Sequence, residues 1–401
     1  MKNITTLLFL LLAISLAFGP FNPLDLRGSG SISEYVEEQN GFTPFLYGLS
    51  MITCLLDTNV LVNIKKFKKY YIPLFCLLSF FVFSSVIFDI TTVGNFLMKY
   101  IKLFVAFTGF YVFTIYFYVY PNVLRTTSLL FAFTCGIISL SFFSGLLEGF
   151  YFISNGRLWM FGENPNTYSF ILGLGVLMLT REIFGDSKLG YKGLCCVFVL
   201  SLICLIFLSG SRGTLVFLGL SLMLILYDYL KKHLFVSIFI IAIIVFAILF
   251  FISQNQEEIV VFERFLDLQG GDSREDLIKN ALSLFYDNPL YGYGLNGYEY
   301  MKAMVFYDMR DSHNMFVSIL AVSGLFGFSA ITTFLLRVSM LLKKIVKKNK
   351  YVLSLFVYTF LISMKTGGII TYSMMWFIYA VIVANATLIH DKCTMNHTKI
   401  V

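Results

Sequence analysis

Apolar positions along this chain come in long unbroken runs rather than in short amphipathic patterns. They lie near 4–19, 44–63, 72–90, 98–119, 124–147, 166–181, 193–209, 212–228, 234–253, 313–336, 351–365 and 371–389. A helix of roughly 20 such residues crosses the ~30 Å hydrocarbon layer of a bilayer. The runs lack the period-2 alternation of a membrane barrel, and in lipid every backbone group must be satisfied internally. The pattern therefore predicts an all-α polytopic membrane protein with about twelve transmembrane helices. The opening "MKNITTLLFLLLAISLAFGP" has the Lys2, apolar centre and small residues near Ala17 of a signal peptide. Because more spans follow, it reads as an uncleaved first helix.

Residues 254–312 form the sizeable hydrophilic interruption, so the chain divides into 1–253, the loop 254–312, and 313–401. Within the loop, Leu277, Ile278, Ala281, Leu282 and Phe285 recur at helical spacing. Ser273 and Asp276 resemble a capping box with Asp in place of Glu, and Asn288–Pro289 stops the helix. An amphipathic helix over 273–286 is expected, lying on the face of the bundle. Beyond it, "LYGYGLNGY" contains Gly292, Gly294 and Gly297, the G-x-G-x-x-G of a dinucleotide-binding turn. That turn needs a strand before it and a βαβ unit around it. Neither is present, so the glycines read as residues that let the chain turn tightly over helix ends.

The basic residues set the orientation. Lys65 to Lys69 ("KKFKK"), "KKH" at Lys231 to His233, and Lys343, Lys344, Lys347, Lys348 and Lys350 share one side if the N-terminus is cytoplasmic. That side then holds 19 of the 30 basic residues and the other side 11. Both termini are expected inside and the loop outside. Inside, Lys dominates, with Arg125, Arg181 and Arg337. Outside stand Arg27, Arg157, Arg212, Arg264, Arg274 and Arg310. Orientation needs only charge, whereas the arginine fork suits phosphate oxygens, which suggests a task for arginines on the disfavoured side.

Composition sharpens the class. The 401 residues are 58% hydrophobic and 13% charged, with mean hydropathy +0.80, where a soluble domain is roughly a quarter charged. The 45 Phe and 24 Tyr suit lipid tails and interface belts. A net charge of +7 then reflects basic loops and not nucleic-acid binding. Of the seven cysteines, six lie in or beside apolar runs, and no C-x-x-C accompanies a histidine cluster. They read as small buried apolar residues.

Taken in order, "FGENPNTYSFILGLGVLML", "LSGSRGTLVFL", "SREDLIKNALSLFYDNPLYGYGLNGY" and "DSHNMFVSILAVSGLFGF" resemble the O-antigen ligase and polymerase superfamily of bacterial envelope glycosyltransferases. The resemblance rests on Ser211–Arg212–Gly213, Arg274, Asn288–Pro289 with Gly292 and Gly294, His313–Asn314, and Gly324 with Gly327. It covers about residues 160–340. It implies a GT-C-like membrane fold in the bacterial plasma membrane. It also implies transfer of a glycan from undecaprenyl pyrophosphate to an acceptor hydroxyl at the outer face, without metal or cofactor. The lipid-linked oligosaccharide donor and acceptor are the implied partners, with a chain-length regulator and flippase of the same system. Within the superfamily the N-P-N-x-Y, S-R-G and H-N spacings look like a polymerase, with a ligase as the alternative. A transporter of lipid-linked glycan or solute is the reading from another class. It fits less well, because no internal repeat is visible and the candidate charges lie at the outer interface.

Such a transfer needs cations on the departing diphosphate and an acceptor for the hydroxyl proton. Arg212, at a helix mouth, and Arg274, at the start of the loop helix, are assigned to the diphosphate, with Arg264 as a further binding residue. His313 faces outward while His233, His390 and His397 face the cytoplasm. An imidazole titrates near ~6.5, so His313 is assigned as base. Asp311 could orient it or be a helix-start charge, and Asn314 could bind substrate or cap the helix with Ser312. Glu163 and Asn166, which open the sixth span, either line the sugar site or belong to a plain helix cap. The acidic residues Asp267, Asp272, Glu275 and Asp276 lack a cation-binding pattern, so no metal site is expected.

Overall fold

The computed structural model describes residues 2–19, 42–87, 96–154, 157–185, 187–232, 272–307, 310, 312–366 and 368–398. The expected span at 234–253, the loop segment 254–271 with Arg264, and Asp311 lie outside the described residues. Fourteen described helices run as α1 (Lys2–Phe18), α2 (Phe42–Leu55), α3 (Thr58–Val62), α4 (Ile64–Ile87), α5 (Phe96–Val119), α6 (Pro121–Phe143), α7 (Pro165–Ile183), α8 (Leu189–Leu208), α9 (Arg212–Lys232), α10 (Asp272–Asp287), α11 (Gly294–Phe306), α12 (Met315–Ile345), α13 (Lys350–Ser363) and α14 (Ser373–Thr398). Six of these are long and apolar enough to cross a membrane, and α1, α2, α9 and α13 carry shorter apolar stretches. This is a helical membrane protein.

The sequence pattern differs from the structure in four places. The run at 44–63 is two helices, because Asp57 caps α3 by accepting from the Asn59 N–H at 2.9 Å. The lysines Lys65 to Lys69 are not in a loop but form the first turns of α4. An all-α reading also missed a two-stranded antiparallel hairpin, β1 (Tyr151–Ser154) and β2 (Arg157–Met160), in which Ser154 pairs with Arg157. The two residues between the strands are Asn155 and Gly156, the strongest short hairpin signal in a sequence. The glycine segment is not only a turn, since Gly294 opens the thirteen-residue helix α11.

Helix starts follow the local chemistry. Asn164, Asn314 and Asn349 cap α7, α12 and α13, each side-chain oxygen accepting backbone N–H groups of the first turn. Pro165 occupies the first position of α7, where its missing N–H costs nothing. Helix α7 is buried along nearly its whole length. Trp376 of α14 is enclosed by Phe107 and Phe110 of α5 and Phe334 of α12, and donates to the Ile370 carbonyl at 2.7 Å. In lipid this aromatic packing, with its polar N–H satisfied, joins helices that the hydrophobic effect alone would not drive together.

The loop after α10 is built into helix α12. Gly324 stands inside α12 with φ 59° and ψ −158°, which interrupts the helical ladder. The freed groups are taken up by residues 289–293. The Leu325 N–H donates to the Pro289 carbonyl at 2.8 Å, and the Tyr293 N–H donates to the Ala321 carbonyl at 3.0 Å. A broken membrane helix persists when its backbone groups find such partners. A Cβ on Gly324 would run into the Leu290 carbonyl group, and one on Gly292 would meet the backbone of Val322 and Ser323. Gly292 and Gly324 therefore let two backbones touch, and serve this contact.

Candidate functional site at one end of the bundle

The hairpin, the starts of α7 and α9, the first turn of α10 and the residues after α13 meet at one end of the bundle. Arg157, first in β2, donates through Nη2 to Asn166 Oδ1 at 2.8 Å and through Nε to the Ser209 carbonyl at 3.2 Å. Asn166 Oδ1 also accepts from Ser211 Oγ at 3.1 Å and from Lys365 Nζ at 3.3 Å. Lys365 Nζ lies 3.0 Å from Ser211 Oγ. Thr214 closes the network against Ser211 at 2.8 Å and against Ser169 at 2.9 Å. One neutral amide oxygen thus holds an arginine, a lysine and a hydroxyl.

The glycines on either side of Ser211–Arg212 make this possible. Gly210 has φ 65°, and a Cβ there would approach Arg157 Cγ to 3.3 Å. A Cβ on Gly213 would stand 2.6 Å from Lys365 Cδ and 2.9 Å from its Nζ. The Gly-Ser-Arg-Gly stretch is the seat on which the two basic side chains lie.

The electrostatics are those of crowded cations. Burial, then Arg274, Arg157 and Arg212, bring the Lys365 ammonium down to about 7. Arg274 is exposed, yet the protein around its guanidinium and then Arg212 lower its proton affinity. An anion entering this mouth would meet four basic side chains, from the hairpin, α9, α10 and the turn after α13 (Arg157, Arg212, Arg274 and Lys365).

Of the residues expected from sequence, the structure brings Arg212, Arg274 and Asn166 to this mouth. Glu163 is set apart from the cations. It sits at the hairpin's exit, its N–H bonded to the Met160 carbonyl at 2.9 Å, and a Cβ on Gly19 would touch its Cγ at 2.9 Å. Burial raises its carboxyl to about 8. His313 precedes the Asn314 cap with a left-handed backbone, φ 52°. Buried Ser312 lies 2.7 Å from Ser318 Oγ, and Lys302 of α11 donates to the Arg310 carbonyl at 2.9 Å, which fixes the approach to His313. The ring of Phe316 stands 5.5 Å from that of Phe360. The start of α12 therefore lies beside the end of α13, close to where Lys365 follows. Asn314 spends its side-chain oxygen on the Phe316 and Val317 N–H groups, at 3.0 and 3.2 Å.

Arg157 and Lys365 were not singled out from sequence. Arg157 is in the outward arginine set, and Lys365 stands as a lone cation between apolar spans, in "SMKTGG". A basic residue between apolar spans is the signal they carried.

Residues 196–332 match the family model described as O-antigen ligase. The matched stretch carries Ser211–Arg212–Gly213, Arg274, the 288–294 loop, His313 and the Gly324 kink, and it bears out the resemblance to the O-antigen ligase and polymerase superfamily. The match supports a glycan-transferring function of the ligase or polymerase type. No curated protein matches the chain.

Proposed function

We propose that this protein is a polysaccharide polymerase. It joins repeat units carried on undecaprenyl pyrophosphate, of O-antigen or a related surface glycan, at the outer face of the bacterial plasma membrane. The observation that carries the reading is the convergence of Arg157, Arg212, Arg274 and Lys365 on one mouth of a membrane bundle. In the transfer, the bond from the anomeric carbon of the donor to its phosphate oxygen breaks, and a new bond forms to the acceptor oxygen. The electron pair leaves with undecaprenyl pyrophosphate, whose growing charge Arg212 and Arg274 neutralise. His313 takes the proton of the attacking hydroxyl. The side-chain cations supply the charge compensation, so the reading needs no metal ion. Glu163, Asn166 and Asn314 border the sugar-binding region, with Arg264 and Asp311 as further contacts.

A ligase would use the same donor chemistry and differ in its acceptor, lipid A–core, and the description of the matching family favours keeping that second reading. Gene deletion separates the two. Surface glycolipids carrying a core with a single repeat unit mark a polymerase. A bare core with long polymer held on undecaprenyl pyrophosphate marks a ligase. An unchanged glycan pattern in a strain without a redundant enzyme would refute both and return the protein to transport. Complementation with Arg212→Ala is expected to restore less than about a hundredth of the polymer, the scale of losing a main stabiliser of developing charge.

A further inference from the structure

Asn166 is the point of departure. Its side-chain oxygen accepts from Arg157, Ser211 and Lys365 together, and it is neutral. Two cations are thus held within hydrogen-bonding distance of a weak acceptor, on a seat of glycines that leaves no room for a Cβ. Their long stems lie flat against Gly210 and Gly213. A diphosphate offers charged oxygens that accept more strongly than an amide.

We propose that Arg157 and Lys365 are further ligands of the lipid diphosphate, parked on Asn166 and Ser211 until the anion takes them over. The proposal rests on the reading of this mouth as the diphosphate site, and adds to it two residues and a positioning role for Asn166. Arg212 and Arg274 would then approach from α9 and α10, and Arg157 and Lys365 from the hairpin and the turn after α13, so that the anion is held from four elements.

Among the described residues, the charged groups acting on Lys365 are Arg274 of α10, Arg157 of the hairpin and Arg212 of α9, while α7 presents it with the neutral Asn166. Burial first, and then these cations, lower the lysine to about 7. An arriving dianion acts oppositely and favours the ammonium. Lys365 therefore takes up a proton as the ligand binds. Affinity is highest below about pH 7 and falls as pH rises through that value. A purely structural lysine would not give that dependence.

The test uses the full chain in nanodiscs and a short-chain dialkyl diphosphate, whose two charges do not change over the range used. Binding is measured by calorimetry at about pH 6 and about pH 8.5. Wild-type protein is expected to bind about tenfold more weakly at the higher pH. Lys365→Met should weaken binding about tenfold at the lower pH and flatten the profile, and Arg157→Gln should weaken it similarly at both. Lys365→Arg keeps its charge throughout, so it should bind at the higher pH at least as tightly as wild type, with a flat profile. This variant keeps the test decisive if the methionine form does not fold. If Arg212→Gln weakens binding while Lys365→Met, Lys365→Arg and Arg157→Gln retain wild-type affinity and pH slope, the proposal is overturned and the diphosphate reading stands. If the wild-type chain does not bind the dialkyl diphosphate at either pH, the diphosphate reading itself fails.

Discussion

Single residues at the mouth carry distinct chemistry even when they are near in sequence. Asn166 and Glu163 are three positions apart, yet one is an acceptor for cations and the other a carboxyl kept neutral by burial. Glu163 is raised from 4.5 to about 8. Between those values the unfolded chain has released a proton that the folded chain keeps, so stability falls as pH rises from about 4.5 to about 8. Glu163→Gln should remove that slope. Thermal unfolding in detergent is expected to show the variant stabilised by at most roughly 4 kcal/mol at pH 8 and by little near pH 4.5. His313 can be tested without disturbing its backbone. Asparagine tolerates the left-handed region, so His313→Asn should melt like wild type while transfer falls about 10²- to 10⁴-fold, the usual share of a general base. Wild-type rates in that variant would remove His313 from the mechanism.

At the level of elements, the link between α12 and the 288–294 loop explains how the loop helix is held to the bundle. The kink at Gly324 frees backbone groups that Pro289 and Tyr293 satisfy, so α10, with Arg274, is tied to the helix that begins beside His313. Gly324→Ala forces both a glycine-only backbone and a collision with Leu290. A destabilisation of about 3 kcal/mol is expected, read as a lower unfolding temperature and loss of polymer together. Gly48, in α2, has open space where a Cβ would go, so Gly48→Ala should leave stability unchanged or raise it by about 0.5 kcal/mol. Equal effects from the two substitutions would mean that the loop is not spliced into α12 as described.

Across the whole molecule, contacts sort the charged residues into two ends. At one end Lys2 lies over Tyr120, Lys66 pairs with Asp391, Arg125 with Glu182, Arg181 stacks on Tyr351 and Lys350 on Tyr227. At the other end Lys99 pairs with Glu299, and the hairpin meets Ser209, Asn166 and Lys365. These two sets agree with the inner and outer groups derived from the lysine bias. We expect a membrane-impermeant maleimide on intact cells to label a cysteine placed at Leu146, in a background without native cysteines, and to spare one at Leu189. Both residues are strongly exposed, at 75% and 85%, and they lie at opposite ends of the bundle. The reverse labelling pattern would place the cation mouth in the cytoplasm and end the proposed reaction.

Hydrophobic runs alone determined that this is a helical membrane protein, since lipid leaves the backbone no alternative. Local chemistry was legible too: Asn288–Pro289 ended α10 after Asp287, as its inability to continue a helix requires. Arg212 and Arg274 stood out as outward arginines within motifs that resemble the superfamily, and Asn166 as a polar residue opening a span. The rest depended on contacts between residues far apart in the chain. Whether Gly292 and Gly324 serve a turn, a nucleotide or a helix kink is decided by which backbone comes to lie against them. Arg157 and Lys365 are separated from Asn166 by 9 and 199 positions. Only packing of the hairpin and the end of α13 onto α7 and α9 makes them one site, where burial and then the neighbouring cations lower the lysine's proton affinity. Sequence specifies which groups are charged. Their distances in a low-dielectric mouth, which set the chemistry, exist only once the helices are assembled.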